Sequence, residues 1–187
     1  MKKSLLVVMA LFATSAMAEG NYAGIKAEYR NGRDNTQDAT AYSLTVGQNI
    51  NQYLDGEVYA RVKSNDDDTN NTRVEGALVG KYPVTVAGYG VQLYTRGAVG
   101  TKLDGSDNHS YWSVEPGVKV AATQDLSLKA GLRFRDAFDT SNADSTRTYR
   151  LGAEYALTKT QTVSVGYDRS LGDSAYDAVS VGYGVKF

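Results

Sequence analysis

The chain has 187 residues, a formal net charge of -1, a mean hydropathy of -0.39 and no cysteine. That length suits one domain, and the near-neutral charge gives no bulk attraction to nucleic acid. The absent thiols exclude disulfide frameworks, thiolate nucleophiles and cysteine zinc sites, and a single histidine, His109, excludes a multi-histidine metal centre.

The N-terminus reads as an address. Lys2 and Lys3 precede an apolar run over residues 5–13, too short to span a bilayer. Ser15-Ala16-Met17-Ala18 then puts small residues at the -3 and -1 positions of a cleavage site after Ala18. This predicts a secretory signal peptide over residues 1–18 and an exported domain over residues 19–187. No cysteine follows the cut, which excludes a lipoprotein.

From there the chain shows no apolar spacing of helical period. It alternates with period two, broken by clusters of Asn, Asp, Gly and Ser. Ala23, Ile25, Ala27 and Tyr29 alternate with Lys26, Glu28 and Arg30, and Tyr42, Leu44 and Val46 with Ser43 and Thr45. Leu54, Val58, Ala60 and Val62 follow, set against Asp55, Glu57, Arg61 and Lys63. Val74, Leu78 and Tyr82 alternate with Arg73, Glu75 and Lys81, and Val91, Leu93 and Val99 with Gln92, Tyr94 and Arg96. Trp112, Val114, Val118 and Val120 oppose Glu115 and Lys119. Leu126, Leu128, Leu132 and Phe134 oppose Lys129, Arg133 and Arg135, and Tyr149, Leu151 and Tyr155 oppose Arg150 and Glu154. Val163, Val165 and Tyr167 alternate with Ser164 and Asp168, and Val179, Val181, Tyr183, Val185 and Phe187 with Ser180, Gly182 and Lys186. The connections alternate too. Residues 31–38, 64–71, 102–110, 136–147 and 169–177 are acidic or amide-rich, whereas 49–52, 121–125 and 157–160 are short. Residues 83–88 form the least regular turn, and Pro116 inside a strand predicts a bulge.

The phase of the alternation separates a soluble sandwich from a membrane wall. The polar parity carries thirteen Lys or Arg and seven Asp or Glu, while the apolar parity of the strand bodies carries no charge. A lipid-facing wall requires this, because Arg or Lys toward mid-bilayer costs roughly 2–4 kcal/mol. It also requires closure, since an open sheet edge has no hydrogen-bonding partner in lipid. The prediction is an all-β, closed antiparallel transmembrane β-barrel of about ten strands, with eight or twelve as the alternatives. With the N-terminus periplasmic, Tyr29, Tyr42, Trp112, Phe134, Tyr149 and Tyr167 form an outer aromatic girdle, and Tyr82, Tyr89, Tyr155, Tyr183 and Phe187 an inner one.

The lumen then holds a basic surplus of six, which favours anions. Ten strands lie near the filled end of the barrel series, so any bore is narrow. Setting Arg61 opposite Glu75 and Asp55 opposite Lys81 would plug it. Setting Arg133 opposite Arg150, with Arg135 close by and Glu115 the one nearby acid, leaves an unpaired basic cluster as a candidate anion site. Arg96, Arg61 and Arg73 complete the candidate lumen set. His109, in Asp107-Asn108-His109-Ser110, reads as a solvated loop residue rather than part of a hydrolytic constellation, and no enzyme or cofactor is expected. Asp66-Asp67-Asp68 reads as a solvated acidic loop rather than a cation site bridging lipopolysaccharide phosphates. Two functions stay open: a narrow, anion-preferring channel, and a non-conducting structural or surface-interaction barrel.

The signal-like N-terminus, the short chain and the closing Val179-x-Val181-x-Tyr183-x-Val185-x-Phe187 resemble Gram-negative outer-membrane β-barrels. The resemblance implies residence in the bacterial outer membrane, among its lipid and lipopolysaccharide. It also implies that Tyr183, Val185 and Phe187 are the signal read by the barrel-assembly machinery. Residues 111–121, with Trp112, Glu115 and Pro116, and residues 126–135, with Arg133 and Arg135, are similar to oligogalacturonate-specific porins. Those are twelve-stranded barrels whose arginine-lined lumens admit acidic oligosaccharides. Small anionic solutes are the partners this second likeness implies.

Overall fold

The computed structural model describes residues 20–33, 37–65, 70–103, 108–139 and 144–187. The predicted signal peptide and Asp66 to Asp68 lie outside them. Ten strands run in chain order: β1 (Asn21–Gly32), β2 (Ala39–Asn51), β3 (Leu54–Asn65), β4 (Asn70–Val86), β5 (Tyr89–Leu103), β6 (His109–Ala121), β7 (Leu126–Ala137), β8 (Thr146–Ala156), β9 (Gln161–Gly172) and β10 (Tyr176–Lys186). Each pairs antiparallel with its sequence neighbours, and β1 pairs with β10 through Ala23↔Val185 and Tyr29↔Val179 to close a barrel. Phe187 N donates to Asn21 O (2.9 Å) and Gly20 N to Phe187 O (3.1 Å), so the two described chain ends meet on the seam. The wall has no free edge. The connections after β2, β4, β6 and β8 share one end with Gly20 and Phe187, the terminal end; the opposite end is distal.

The burial pattern is inverted relative to a soluble protein. Ile25, Leu78, Val99, Leu151 and Val181 are each more than half exposed on the exterior, while Glu28, Arg61, Arg73, Glu75, Arg96 and Glu115 are buried inside. Such a surface suits lipid and would aggregate in water. Both groups of exterior aromatics are exposed, from Tyr29 and Tyr149 toward the distal end to Tyr82 and Phe187 at the terminal end. Inside, tyrosine rings lie across glycines of the wall. A Cβ at Gly47 would come within 2.2 Å of the Tyr22 ring, and one at Gly117 within 2.3 Å of Tyr94. At both positions only glycine lets the ring approach the backbone.

Several local expectations are corrected. β3 and β4 pair with Arg61 opposite Arg73 and Asp55 opposite Val79, not opposite Glu75 and Lys81. β7 and β8 pair with Arg133 opposite Thr148 and Gly131 opposite Arg150, not Arg133 opposite Arg150. Both shifts are by two residues, the step that period-two alternation cannot detect because it keeps every side chain on its face. Pro116 makes no bulge. Its pairing with Thr95 is in step, and β6 keeps one offset to β7 on either side, from Val114↔Phe134 to Gly117↔Gly131. The missing N–H leaves a gap in the ladder without inserting a residue. The irregularity lies at Asn49/Asn51 instead. Pro83 belongs to β4, opposite Gln92, and the turn is only Ala87-Gly88, whose φ values of 51° and 85° suit a tight hairpin. At the distal end the strands run further than the polar clusters suggest. Arg147 and Arg169 sit in β8 and β9, exposed at the rim rather than in connections.

Candidate functional site: the lumen

Two halves of the lumen differ. Near the terminal end a chamber of about 530 Å³ is bordered by Tyr22, Lys26, Arg96, Glu115, Lys129, Arg133 and Arg150, and reaches Asn49, Thr162 and Lys186 at the strand ends. Its hub is Glu115, 1% exposed. Oε2 accepts from Arg150 Nη1 (2.7 Å) and from Arg133 Nε and Nη2 (both 2.9 Å). Oε1 accepts from the Tyr94 hydroxyl (2.9 Å), with Lys129 Nζ at 3.8 Å. Arg150 also donates from Nε to Asp168 at 3.2 Å. Arg133 and Arg150 are therefore companions through a shared carboxylate rather than across a ladder, and the expected unpaired cluster is corrected to a partly neutralised one. The physical reason is reach: one carboxylate at the centre of a narrow bore is accessible from β5, β7 and β8 together. Lys129 stays half exposed to the chamber.

Arg96 links this hub to the middle of the bore, donating from Nε to Glu57 and pairing through Nη2 with Glu75, both at 2.9 Å. Tyr22 and Tyr111 donate to the same two acids at 2.7 and 2.9 Å. Each tyrosine holds a carboxylate at fixed height while its ring fills the bore above a glycine.

The distal half is tightly filled. Glu28 gathers Lys26 (3.0 Å), Arg30 and Arg61 (3.8 Å), and Arg30 stacks 3.8 Å from the Tyr176 ring centroid. Arg73 and Arg135 both approach Asp144 Oδ1, and His109 Nε2 lies 3.3 Å from Oδ2. His109 opens β6 and is 7% exposed, which corrects the solvated-loop expectation: the β5–β6 ladder continues to Lys102↔His109, and polar residues on a strand read as loop in sequence. Arg135 is thus separated from Arg133 and Arg150. Asp144 is the residue that sequence reasoning missed. It lies in a connection, where acids look like solubilising residues, and no periodicity marks it.

The predicted lumen set Arg61, Arg73, Arg96, Arg133, Arg135 and Arg150 all face the interior, three of them around Glu115 and Glu75 and the others in the distal clusters. Tyr183 and Val185 lie on β10 opposite Ile25 and Ala23 of β1, and Phe187 completes the seam.

A family model described as an outer membrane protein beta-barrel domain matches residues 4–187. No curated protein matches the chain. Among solved structures, the KdgM porin in complex with disordered oligogalacturonate is similar at 13% identity, covering 89% of this chain and 99% of that one with a TM-score of 0.50. The NanC porin is similar at 10% identity over 88% of this chain and 100% of that one, TM-score 0.53. The β domain of the Bordetella autotransporter BrkA is similar at 13% identity over 90% and 99%, TM-score 0.55. At such identities the likeness is one of fold.

Proposed function

The chain belongs to the outer membrane protein beta-barrel domain family, and from that footing we propose that it is a narrow, anion-preferring porin of the bacterial outer membrane, with both termini on the periplasmic side. The observation that carries this reading is the charge of the chamber. Its border holds eight Lys or Arg against four Asp or Glu, and adding Glu28, Glu75 and Asp168, the acids that pair with border cations from outside it, still leaves a surplus of one positive charge. Confinement strengthens that field relative to bulk water, although salt screens it. Small anions are the favoured solutes, and acidic oligosaccharides such as the oligogalacturonate of the similar porin are the extended class. The outer-membrane lipid, lipopolysaccharide and the barrel-assembly machinery are the partners this reading implies. His109 is read as a member of the ion cluster around Asp144, which Arg73 and Arg135 also approach.

The test is the reversal potential of the reconstituted barrel in a potassium chloride gradient. Replacing Arg133 and Arg150 by Glu is unsuitable, because it sets three carboxylates around one buried site. Lys129→Gln with Lys186→Gln removes two charges that face solvent. The anion preference should fall with the fold intact; an unchanged reversal potential would overturn the reading. A second reading, a non-conducting structural barrel, is favoured by the filled distal half, and an absence of measurable conductance would select it.

A further inference from the structure

We propose that Arg73, Arg135 and His109 form a carboxylate-binding site at the distal end of the lumen, and that the chain's own Asp144 fills it and so closes that end. The three basic groups come from β4, β7 and β6, and converge without any of them being neighbours on one strand. Tyr111 of β6 forms the floor. It is fully buried, its hydroxyl is held by Glu75 at 2.9 Å, and the Arg73 and Arg135 guanidiniums stand 5.7 and 5.6 Å from its ring centroid. Two guanidiniums close to one aromatic ring repel each other, and an anion that both approach relieves that repulsion.

Asp144 supplies the anion. It is 1% exposed, with Oδ1 toward Arg135 and Arg73 and Oδ2 toward His109. It does not belong to the strand ladder. The next residue, Ser145, is tied to the β9–β10 turn, donating from N to Asp173 Oδ2 (2.8 Å) and accepting from Asp173 N (3.0 Å), which sets the carboxylate over the bore. One carboxylate does not exhaust the donors. Arg73 Nε and Arg135 Nε are buried and have no acceptor among the described residues, and His109 Nδ1, the accepting nitrogen of a neutral ring whose Nε2 donates to Asp144, has no partner there either. Buried polar groups are normally satisfied, so a cluster with two guanidinium donors and one imidazole acceptor to spare has the chemistry of a site for an anion with more polar atoms than Asp144 offers. An organic carboxylate bearing neighbouring hydroxyls, taking the place of Asp144, fits that need. The binding claim stands by itself; the claim that Asp144 closes the bore rests on the channel reading above.

The full chain is refolded as wild type, Asp144→Ala, Asp144→Asn and Asp144→Ala with Arg73→Gln. Each is followed by heat-modifiable gel mobility in sodium chloride and in sodium acetate of equal ionic strength, and by conductance in a planar bilayer. Acetate should raise the unfolding midpoint of Asp144→Ala by several degrees, leave the wild type unmoved, and lose its effect when Arg73 is also replaced. Asp144→Asn keeps the shape and serves the same comparison if the alanine variant does not fold. Conductance should rise several-fold in Asp144→Ala, which removes the side chain from the bore. The same acetate response in wild type and variant, or none in either variant, overturns the site. An acetate response without any conductance keeps the site and overturns the closure and the channel reading together. Conductance equal to that of a conducting wild type overturns the closure alone.

Discussion

Glu115→Gln is the sharpest probe of how the lumen holds together. The substitution keeps the shape of the side chain and an oxygen for the Tyr94 hydroxyl, and removes the charge that faces Arg150 at 2.7 Å and Arg133 at 2.9 Å. Breaking a fully buried ion pair from one side costs about 3–5 kcal/mol, mostly the penalty of the charge left behind. Here that penalty is reduced. The two arginine side chains are 21% and 24% exposed to the chamber, and Arg150 keeps Asp168 at 3.2 Å. The expected loss is therefore about 2–4 kcal/mol. Urea unfolding of the barrel in lipid vesicles, followed by gel mobility or by the fluorescence of Trp112, reads it as a shift in midpoint at constant slope. Asp168→Asn, which leaves Glu115 in place, should cost less. The same Glu115→Gln barrel should show a stronger anion preference, because one negative charge has gone from the chamber border. A midpoint within about 0.5 kcal/mol of wild type would show that solvent, not Glu115, supports these arginines, and the account of the hub would fail.

Gly117→Ala places a methyl group 2.3 Å from the Tyr94 ring and should cost about 1–3 kcal/mol in the same unfolding assay, whereas Gly76→Ala, with open space around it, should stay within about 0.5 kcal/mol. Deleting Phe187 removes its own two backbone hydrogen bonds at the end of the seam and the expected assembly signal. The yield of folded protein in the outer membrane should drop far below that of Lys159→Gln in a short turn, and equal yields would refute the role. The neutralised pair Lys129→Gln and Lys186→Gln should shift the reversal potential toward zero, in proportion to the two charges lost.

What could be read from the sequence, and what could not, follows from the period of the strand. Alternation assigns faces, so Lys26, Arg61, Arg96 and Arg150 were legible as lumenal and Ile25, Leu78 and Val181 as exterior without any knowledge of pairing. Alternation is blind to sliding by two, and that is where Arg61 lost Glu75 as its partner and met Arg73 instead. Yet the Asp55–Lys81 ion pair survives at 2.6 Å, because long side chains reach diagonally across a ladder. The distal half was the least legible. His109 and Asp144 both stand in polar runs that signal connections, and their burial arises from the convergence of strands distant in sequence. Glu115 was visible as an acid near the basic cluster, but its role as the shared acceptor depends on the narrowness of the bore, which only strand count and closure determine.

The seam between β1 and β10 bears on the difference between the finished wall and its making. Gly20 and Phe187 are hydrogen-bonded to each other, so the described chain closes on itself like a necklace whose clasp is one ordinary link. Every strand has the same two kinds of neighbour, and nothing in the ladder marks β1 as first. A rearranged gene that joined the two ends by a short linker and began instead at the turn around Lys159 would specify the same ring of ten strands. It would end on β8, however, on Ala156 and the turn residues after it, and carry no terminal phenylalanine. Linear order is therefore not a requirement of the folded object, and the closing of the seam can be separated from the expected assembly signal of the last strand by cutting the ring elsewhere.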